Sequence, residues 1–179
     1  TTGVVSANFR IIKYGLNGTE DSSFSGNGEN VIVKPLSNEE VNGLLLGPEG
    51  HLFVFGSSTK IMTKSLVVKF NTDGTKFGSF GNGGFAEVSN VFGSGVNSAT
   101  LDVSIDSDGR ILLVGYGENN SVKKGAIARL LSDGGLDTDF GIEGNGKFLA
   151  ADCQGEQSFT ALIQNTNDQI VVSSQCNNG

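Results

Sequence analysis

The chain has few of the residues that most metal and acid–base sites use. Its 179 residues contain one histidine, two cysteines and no tryptophan. Zinc ligands usually occur as Cys-x-x-Cys pairs or as cysteines close to a histidine. Neither Cys153 nor Cys176 has such a neighbour. We therefore predict no cofactor, no catalytic residues and no conventional metal centre.

Positive charge and long apolar segments are also scarce. Twelve Lys and Arg against nineteen Asp and Glu give a net charge of −7, and Lys123-Lys124 is the main basic cluster. A protein that binds a phosphate backbone needs a basic patch, so nucleic acid is a poor candidate partner. No apolar run is long enough to cross a bilayer as a helix, so we expect no membrane insertion. The start at Thr1-Thr2-Gly3, without methionine or leader pattern, leads us to expect a mature or excised portion of a longer chain.

What the chain does contain is one segment written three times, at residues 9–28, 67–84 and 127–146. Each copy has a turn dipeptide followed, six residues after its glycine, by a phenylalanine. The turns are Asn17-Gly18, Asp73-Gly74 and Asp133-Gly134, and the aromatic residues are Phe24, Phe80 and Phe140. Self-similarity at such a period indicates a solenoid, a propeller or another repeat array.

A second block recurs between these segments. Residues 44–56 match 103–115 in register, and the third copy, 162–174, has Asp168 and Ser174 where the others have glycine. Alternating and continuous apolar runs predict four strands and no helix in each repeat. In the middle copy the predicted strands are Ser65–Asn71, Phe85–Ser89, Leu101–Asp106 and Arg110–Tyr116. We predict one domain, 1–179, with approximate repeats 4–64, 65–124 and 125–179.

The stretches SLVVKFNTDG, IDSDGRILLVG and AIARLLSDGGLDTDFG resemble the delta-60 repeat family of bacterial proteins. The resemblance implies four-stranded blades of a β-propeller in secreted or surface-exposed proteins, and it carries no catalytic residues. The expected fold is therefore all-β, a β-propeller-like array of three four-stranded repeats, located outside a bacterial cell. Propellers need about four to eight blades to close. We therefore expect a homo-oligomer, a dimer or trimer, or further blades in the parent chain.

Candidate ligand-binding residues follow the best-formed fourth strand. Tyr116, Glu118, Asn119 and Asn120 place an aromatic ring beside polar groups that could stack on and hydrogen-bond a sugar or a peptide. The alternative is an ordinary solvated loop. His51 occupies the slot that Arg110 and Gln169 fill in the other copies, which indicates a polar surface position at the start of a strand.

Two further features have competing interpretations. Asp133, Asp137 and Asp139 resemble a calcium loop, but the distal glutamate is missing and copy two has Phe77 in place of Asp137, so turn capping is the better explanation. Cys153 and Cys176 end the second and fourth predicted strands of the last repeat, on the same side. The sequence leaves two alternatives: the cysteines form a disulfide, or they are two free thiols.

The rigid repeated scaffold, without a catalytic constellation, indicates a non-enzymatic recognition or adhesion module. We hypothesise that it lies at the tip or head of a bacterial fibre or surface protein and binds a cell-surface glycan or protein through its loops. The alternative is a structural or assembly domain, a fragment of a larger propeller with no ligand of its own. Hydrolysis in a central channel ranks last, because no set of carboxylates or histidine base converges from the repeats.

Overall fold

The computed structural model describes residues 9–32, 37–88, 97–119, 122–142, 144–150, 153–165, 167 and 169–177. These residues form β-strands joined by turns and two single-turn 3₁₀ segments, Phe24–Gly26 and Pro48–Gly50. The prediction of an all-β chain is confirmed. Over the same residues, no helix has the length and hydropathy needed to cross a membrane.

The strands follow one another in the order of the chain, and their bounds are these: β1 Phe9–Ile12, β2 Glu29–Ile32, β3 Asn38–Leu46, β4 Leu52–Thr59, β5 Thr63–Phe70, β6 Phe85–Val88, β7 Asn97–Ile105, β8 Ile111–Asn119, β9 Val122–Leu130, β10 Lys147–Leu149, β11 Glu156–Gln164 and β12 Ile170–Asn177. All pairs between neighbouring strands are antiparallel. Strands β3-β4-β5-β6 form the first sheet and β7-β8-β9-β10 the second sheet. The amino-terminal pair is β1-β2, and the carboxy-terminal pair is β11-β12.

The sheets do not start where the sequence repeats start. The predicted middle unit, 65–124, is split: β5 and β6 close the first sheet, whereas β7 and β8 open the second. The reason is the length of the connections, because β4 joins β5, and β8 joins β9, through short hairpins that force antiparallel pairing. The prediction of three four-stranded repeats is therefore not confirmed, and the described strands form two sheets flanked by two strand pairs.

Three apolar layers lie between these four units. Phe9, Ile11 and Phe24 of the amino-terminal unit pack on the first sheet. The largest layer joins the first sheet to the second, and a third joins the second sheet to the carboxy-terminal pair. The four units are therefore stacked face to face in chain order, as successive blades are.

The recurrent turn links each unit to the next. Phe80 is fully buried, and a Cβ added at Gly134 of the next unit would lie 3.0 Å from its ring. The Gly81 amide donates to the Asp133 carbonyl at 2.6 Å. One unit earlier, the ring of Phe24 covers Gly74 in the same way, and the Ser25 amide donates to the Asp73 carbonyl at 2.6 Å. We call this arrangement the turn clamp.

The glycine that ends the second repeated block lies opposite a bulge in the first two copies, and Ser174 lies opposite the corresponding bulge in the third. The first strand of each sheet is irregular at one point, between Val41 and Gly43 in β3 and between Thr100 and Asp102 in β7, and β11 is irregular between Phe159 and Ala161. A Cβ on Gly56 or Gly115, which lie opposite, would come within 2.0 Å of a carbonyl oxygen of the bulged strand. The recurrence of this glycine in the first two copies therefore reflects backbone packing.

Candidate functional site

The strand ends define two faces of the array. The turn face carries the recurrent Asx-Gly turns and the β3–β4 and β7–β8 connections. The hairpin face carries residues 58–64 and 116–119 with 122–124, together with the starts of β7 and β11. The Thr63 amide donates to Asn97 Oδ1 at 2.9 Å, so the first hairpin is fixed to the neighbouring sheet.

The structure places two of the four predicted ligand-binding residues together on the hairpin face. Tyr116 and Glu118 lie two positions apart on β8, so their side chains share one face of the sheet. Lys123 of β9 lies opposite Glu118, and its Nζ is 4.7 Å from the centre of the Tyr116 ring. Asn119 ends β8 opposite Val122, and Asn120 lies outside the described residues.

A groove beside the first hairpin was missed by the sequence analysis. It has a volume of about 350 Å³ and is lined by Lys60, Ile61, Met62, Lys64 and Glu87, with two serines. Lys64 Nζ lies 3.4 Å from Glu87 Oε2, and Ile61 is 89% exposed. The sequence contains a signal for this groove, since Lys60-Ile61-Met62 is an apolar pair beside a lysine in a short connection, but only pairing of β4 with β5 identifies it as a hairpin tip.

The same positions carry different residues in the two sheets. Tyr116 and Glu118 of the second sheet correspond to Ser57 and Thr59 of the first. The turn face, in contrast, repeats its glycines and phenylalanines because the turn clamp needs them. The hairpin face therefore differs in chemistry between the two sheets at these positions.

His51 is not the surface residue that the sequence indicated. Its side chain is 16% exposed, its ring meets the Phe77 ring edge-on at 4.8 Å, and Nδ1 lies 3.2 Å from the Phe70 carbonyl oxygen. The turn after β5 folds back over the start of β4, which encloses the imidazole. Its surroundings are those of a packed side chain.

Lys69 lies in the same aromatic cluster. Its Nζ is 4.3 Å from the centre of the Phe77 ring and 5.3 Å from that of Phe53. Burial lowers the pKa of Lys69, and the Glu49 carboxylate opposes this in part. In the next sheet Arg129 replaces Lys69 and Asp137 replaces Phe77, so the cation gains an ion pair with Asp137. Its guanidinium carbon also lies 4.8 Å from the centre of the Phe140 ring.

The three aspartates considered as metal ligands lie in the turn after β9. Asp133 Oδ1 accepts from the Gly135 amide at 2.8 Å, and Asp137 Oδ1 accepts from the Asp139 amide at 3.1 Å. Asp137 Oδ2 accepts from Arg129 Nε at 2.7 Å. Across the part of the chain that the structure describes, no group of three or more His, Cys, Asp or Glu residues could hold a metal ion. The geometry is that of turn capping.

We expect Asp137→Ala to lower the free energy of unfolding by about 2 kcal/mol, because a charge-assisted hydrogen bond to Arg129 is lost together with the cap on Asp139. Asp133→Ala, in the exposed part of the same turn, is the control and should cost less than about 1 kcal/mol. Urea denaturation measures both. A rise in the stability of the unmodified chain on adding calcium, absent in Asp137→Ala, would show instead that these carboxylates bind metal.

Cys153 and Cys176 form a disulfide in the structure. Cys153 is buried just before β11, and Cys176 lies near the end of β12. Lys124 Nζ donates to the carbonyls of Cys153 at 2.8 Å and Gly155 at 3.1 Å. These bonds tie the carboxy-terminal pair to β9 of the second sheet.

One family model matches part of the chain, from the turn before β8 through β8 and β9 to Phe140. The model is described as a domain of unknown function (DUF5122), beta-propeller, and it matches residues 107–140. No curated protein shows significant similarity to the chain. The match and the antiparallel sheets together support an all-β fold with propeller-like repeats.

Proposed function

We propose that this chain is a non-enzymatic recognition module of the delta-60 repeat type, which binds a glycan or a protein on a cell surface through its hairpin face. The observation that carries the proposal is the distribution of repeated and unrepeated residues. Residues that recur in the repeats are used by the bulges and the turn clamp, whereas the hairpin face differs from sheet to sheet. Recognition commonly resides in variable segments on a rigid scaffold.

The chemistry of the hairpin face supports such a ligand. The Tyr116 ring can stack on a sugar or an apolar side chain, with Glu118 and Lys123 beside it to hydrogen-bond hydroxyl or carboxylate groups. Lys60 and Lys64 border the groove of the first sheet next to the exposed Ile61. Lys60, Lys64 and Lys123 of the hairpin face favour a ligand that carries hydroxyls or carboxylates.

The test is binding to a glycan array and to whole bacterial and host cells. We expect Tyr116→Ala and Lys123→Ala each to lower affinity about tenfold or more, as central aromatic and charged contacts do. Lys76→Ala is the matched control. The Nζ of Lys76 lies 4.4 Å from the centre of the Phe85 ring on the turn face, which is the same kind of contact that Lys123 makes with Tyr116 on the hairpin face. Equal losses in Lys76→Ala and Lys123→Ala would contradict the assignment to the hairpin face.

The rival is a structural or assembly domain outside a bacterial cell, with no ligand of its own. The exposed apolar side chains of β3 and β12 favour it, since such surfaces join neighbouring elements. The absence of any bound glycan or cell at high protein concentration would reject the recognition proposal and leave this second function.

A further inference from the structure

The two terminal strand pairs are complementary halves of one sheet. By the repeat spacing, β11 and β12 correspond to the first two strands of each sheet, β3-β4 and β7-β8. Strands β1 and β2 correspond to the last two, β5-β6 and β9-β10. Placed together in the order β11-β12-β1-β2, they contain the four strands of one complete sheet.

The edges that would join have no neighbouring strand in the described part of the chain. Strand β4 pairs with β5 and β8 pairs with β9, but their counterparts β12 and β1 each pair with one strand only. Leu113 lies opposite Ala128, and Val54 lies opposite Val68. In the repeat alignment Val172 of β12 corresponds to Leu113 and Val54, and Ile12 of β1 corresponds to Ala128 and Val68. Both pairs therefore predict that Val172 would lie opposite Ile12.

The apolar faces beside these edges are exposed where their counterparts are covered. Leu44 is 59% exposed and Leu46 67%, yet Val103, the counterpart of Leu44, is 7% exposed against the first sheet. On the other side, Val171 is 54% exposed, whereas its counterparts Phe53 and Leu112 are each 3% exposed. Phe53, the counterpart of Val171, lies on the face of the first sheet that covers Val103. By correspondence, the face that carries Val171 would cover Leu44 and Leu46.

The groups that form the turn clamp also occur at the two ends of the array, where the clamp is incomplete. Phe140 and Gly141 correspond to the ring and the amide donor that hold the next turn, and no hydrogen bond of the Gly141 amide appears within the described ranges. Asn17 and Gly18 correspond to the carbonyl acceptor and the covered glycine, and a Cβ on Gly18 would meet open space. The donor half and the acceptor half lie at opposite ends of the array.

We propose that a second copy of this chain completes the sheet, with β12 of one copy pairing antiparallel to β1 of the other and Val172 facing Ile12. A chain cannot join its own ends, because two whole sheets lie between them and a ring of three is below the four to eight blades of closed propellers. Two copies joined at both ends make a closed ring of six. Three copies would make nine, above that range.

The proposal predicts a solution mass of about 37 kDa, twice the 18.6 kDa of the chain, by light scattering on a sizing column. Leu44→Asp and Val171→Asp should each convert the dimer to a folded monomer, because each places a charge in the joint but lies on the surface of a single copy. Leu131→Asp is the control, since Leu131 is also exposed and its counterpart is Asn71. A monomeric, trimeric or polydisperse unmodified chain would overturn the proposal.

The register is tested by disulfide trapping. Facing residues of an antiparallel pair have Cα atoms about 4.5–5.5 Å apart, within the range that a disulfide spans. Mixing Ile12→Cys chains with Val172→Cys chains should give cross-linked dimers in high yield, and Ile12→Cys with Gln175→Cys, three residues out of register, should give at least tenfold less. Equal yields, or none in the first mixture, would contradict the pairing.

Discussion

Phe80→Ala is expected to lower the free energy of unfolding by about 4 kcal/mol. The ring has no exposed surface and lies in the apolar layer between the two sheets, where it meets Phe53 edge-on at 6.0 Å. Removing a fully buried phenylalanine loses its transfer free energy and leaves a cavity, which together cost about 3–5 kcal/mol. The gap would open under Gly134, so the turn clamp to the next sheet would loosen as well.

Urea denaturation at fixed protein concentration measures the effect. Phe80→Leu is the control, because it keeps most of the buried volume and should cost less than about 1.5 kcal/mol. If Phe80→Ala and Phe80→Leu cost the same small amount, the recurrent phenylalanine does not hold adjacent units together, and the account of the turn clamp is wrong.

Removing the disulfide, by Cys153→Ala with Cys176→Ala, is expected to cost about 3 kcal/mol. The bond closes a loop over a sequence separation of 23, and the loss of its constraint on the unfolded chain has about this size in the chain-entropy estimate. Many side chains of β12 are exposed, so apart from the disulfide the pair is held mainly through the buried side chains of β11 and the hydrogen bonds of Lys124. In the double variant, which lacks the bond, we therefore expect this pair to open before the two sheets do.

Reduction provides the control for this variant. A reductant should destabilise the unmodified chain by the same amount and leave the double variant unchanged, because the chain has no other cysteine. Calorimetry with and without reductant makes the comparison. A loss below about 1 kcal/mol, with no early opening of the last strands, would show that the disulfide is not needed to hold the carboxy-terminal pair.

Local features of the fold could be predicted from the sequence. The alternating and continuous apolar runs indicated strands near β7 and β8, and both are present. The Asx-Gly turns and the phenylalanine six residues later indicated a recurrent structural turn. In the structure Gly18, Gly74 and Gly134 all adopt the positive φ that such a turn needs. These predictions held because they depend on a few residues in contact along the chain.

The division into sheets could not be predicted in the same way. A repeat has no natural starting point in sequence, and the choice between pairing Phe85–Val88 with its predecessor or its successor depends on tertiary contacts. The partial burial of His51 also depends on Phe77, which lies in the β5–β6 connection. The groove at Ile61 required knowing that β4 and β5 form a hairpin.

Amide hydrogen exchange of β12 in the full chain tests most directly that the terminal pairs are halves of one sheet. The account predicts that all amides of Ile170–Gln175 are as protected as those of the matching segment of β8, which has a neighbour on both sides. An open edge would instead give alternation, with the amides facing β11 slow and every second amide fast. Fast exchange at every second residue of β12, at concentrations where the chain is fully folded, would contradict the account.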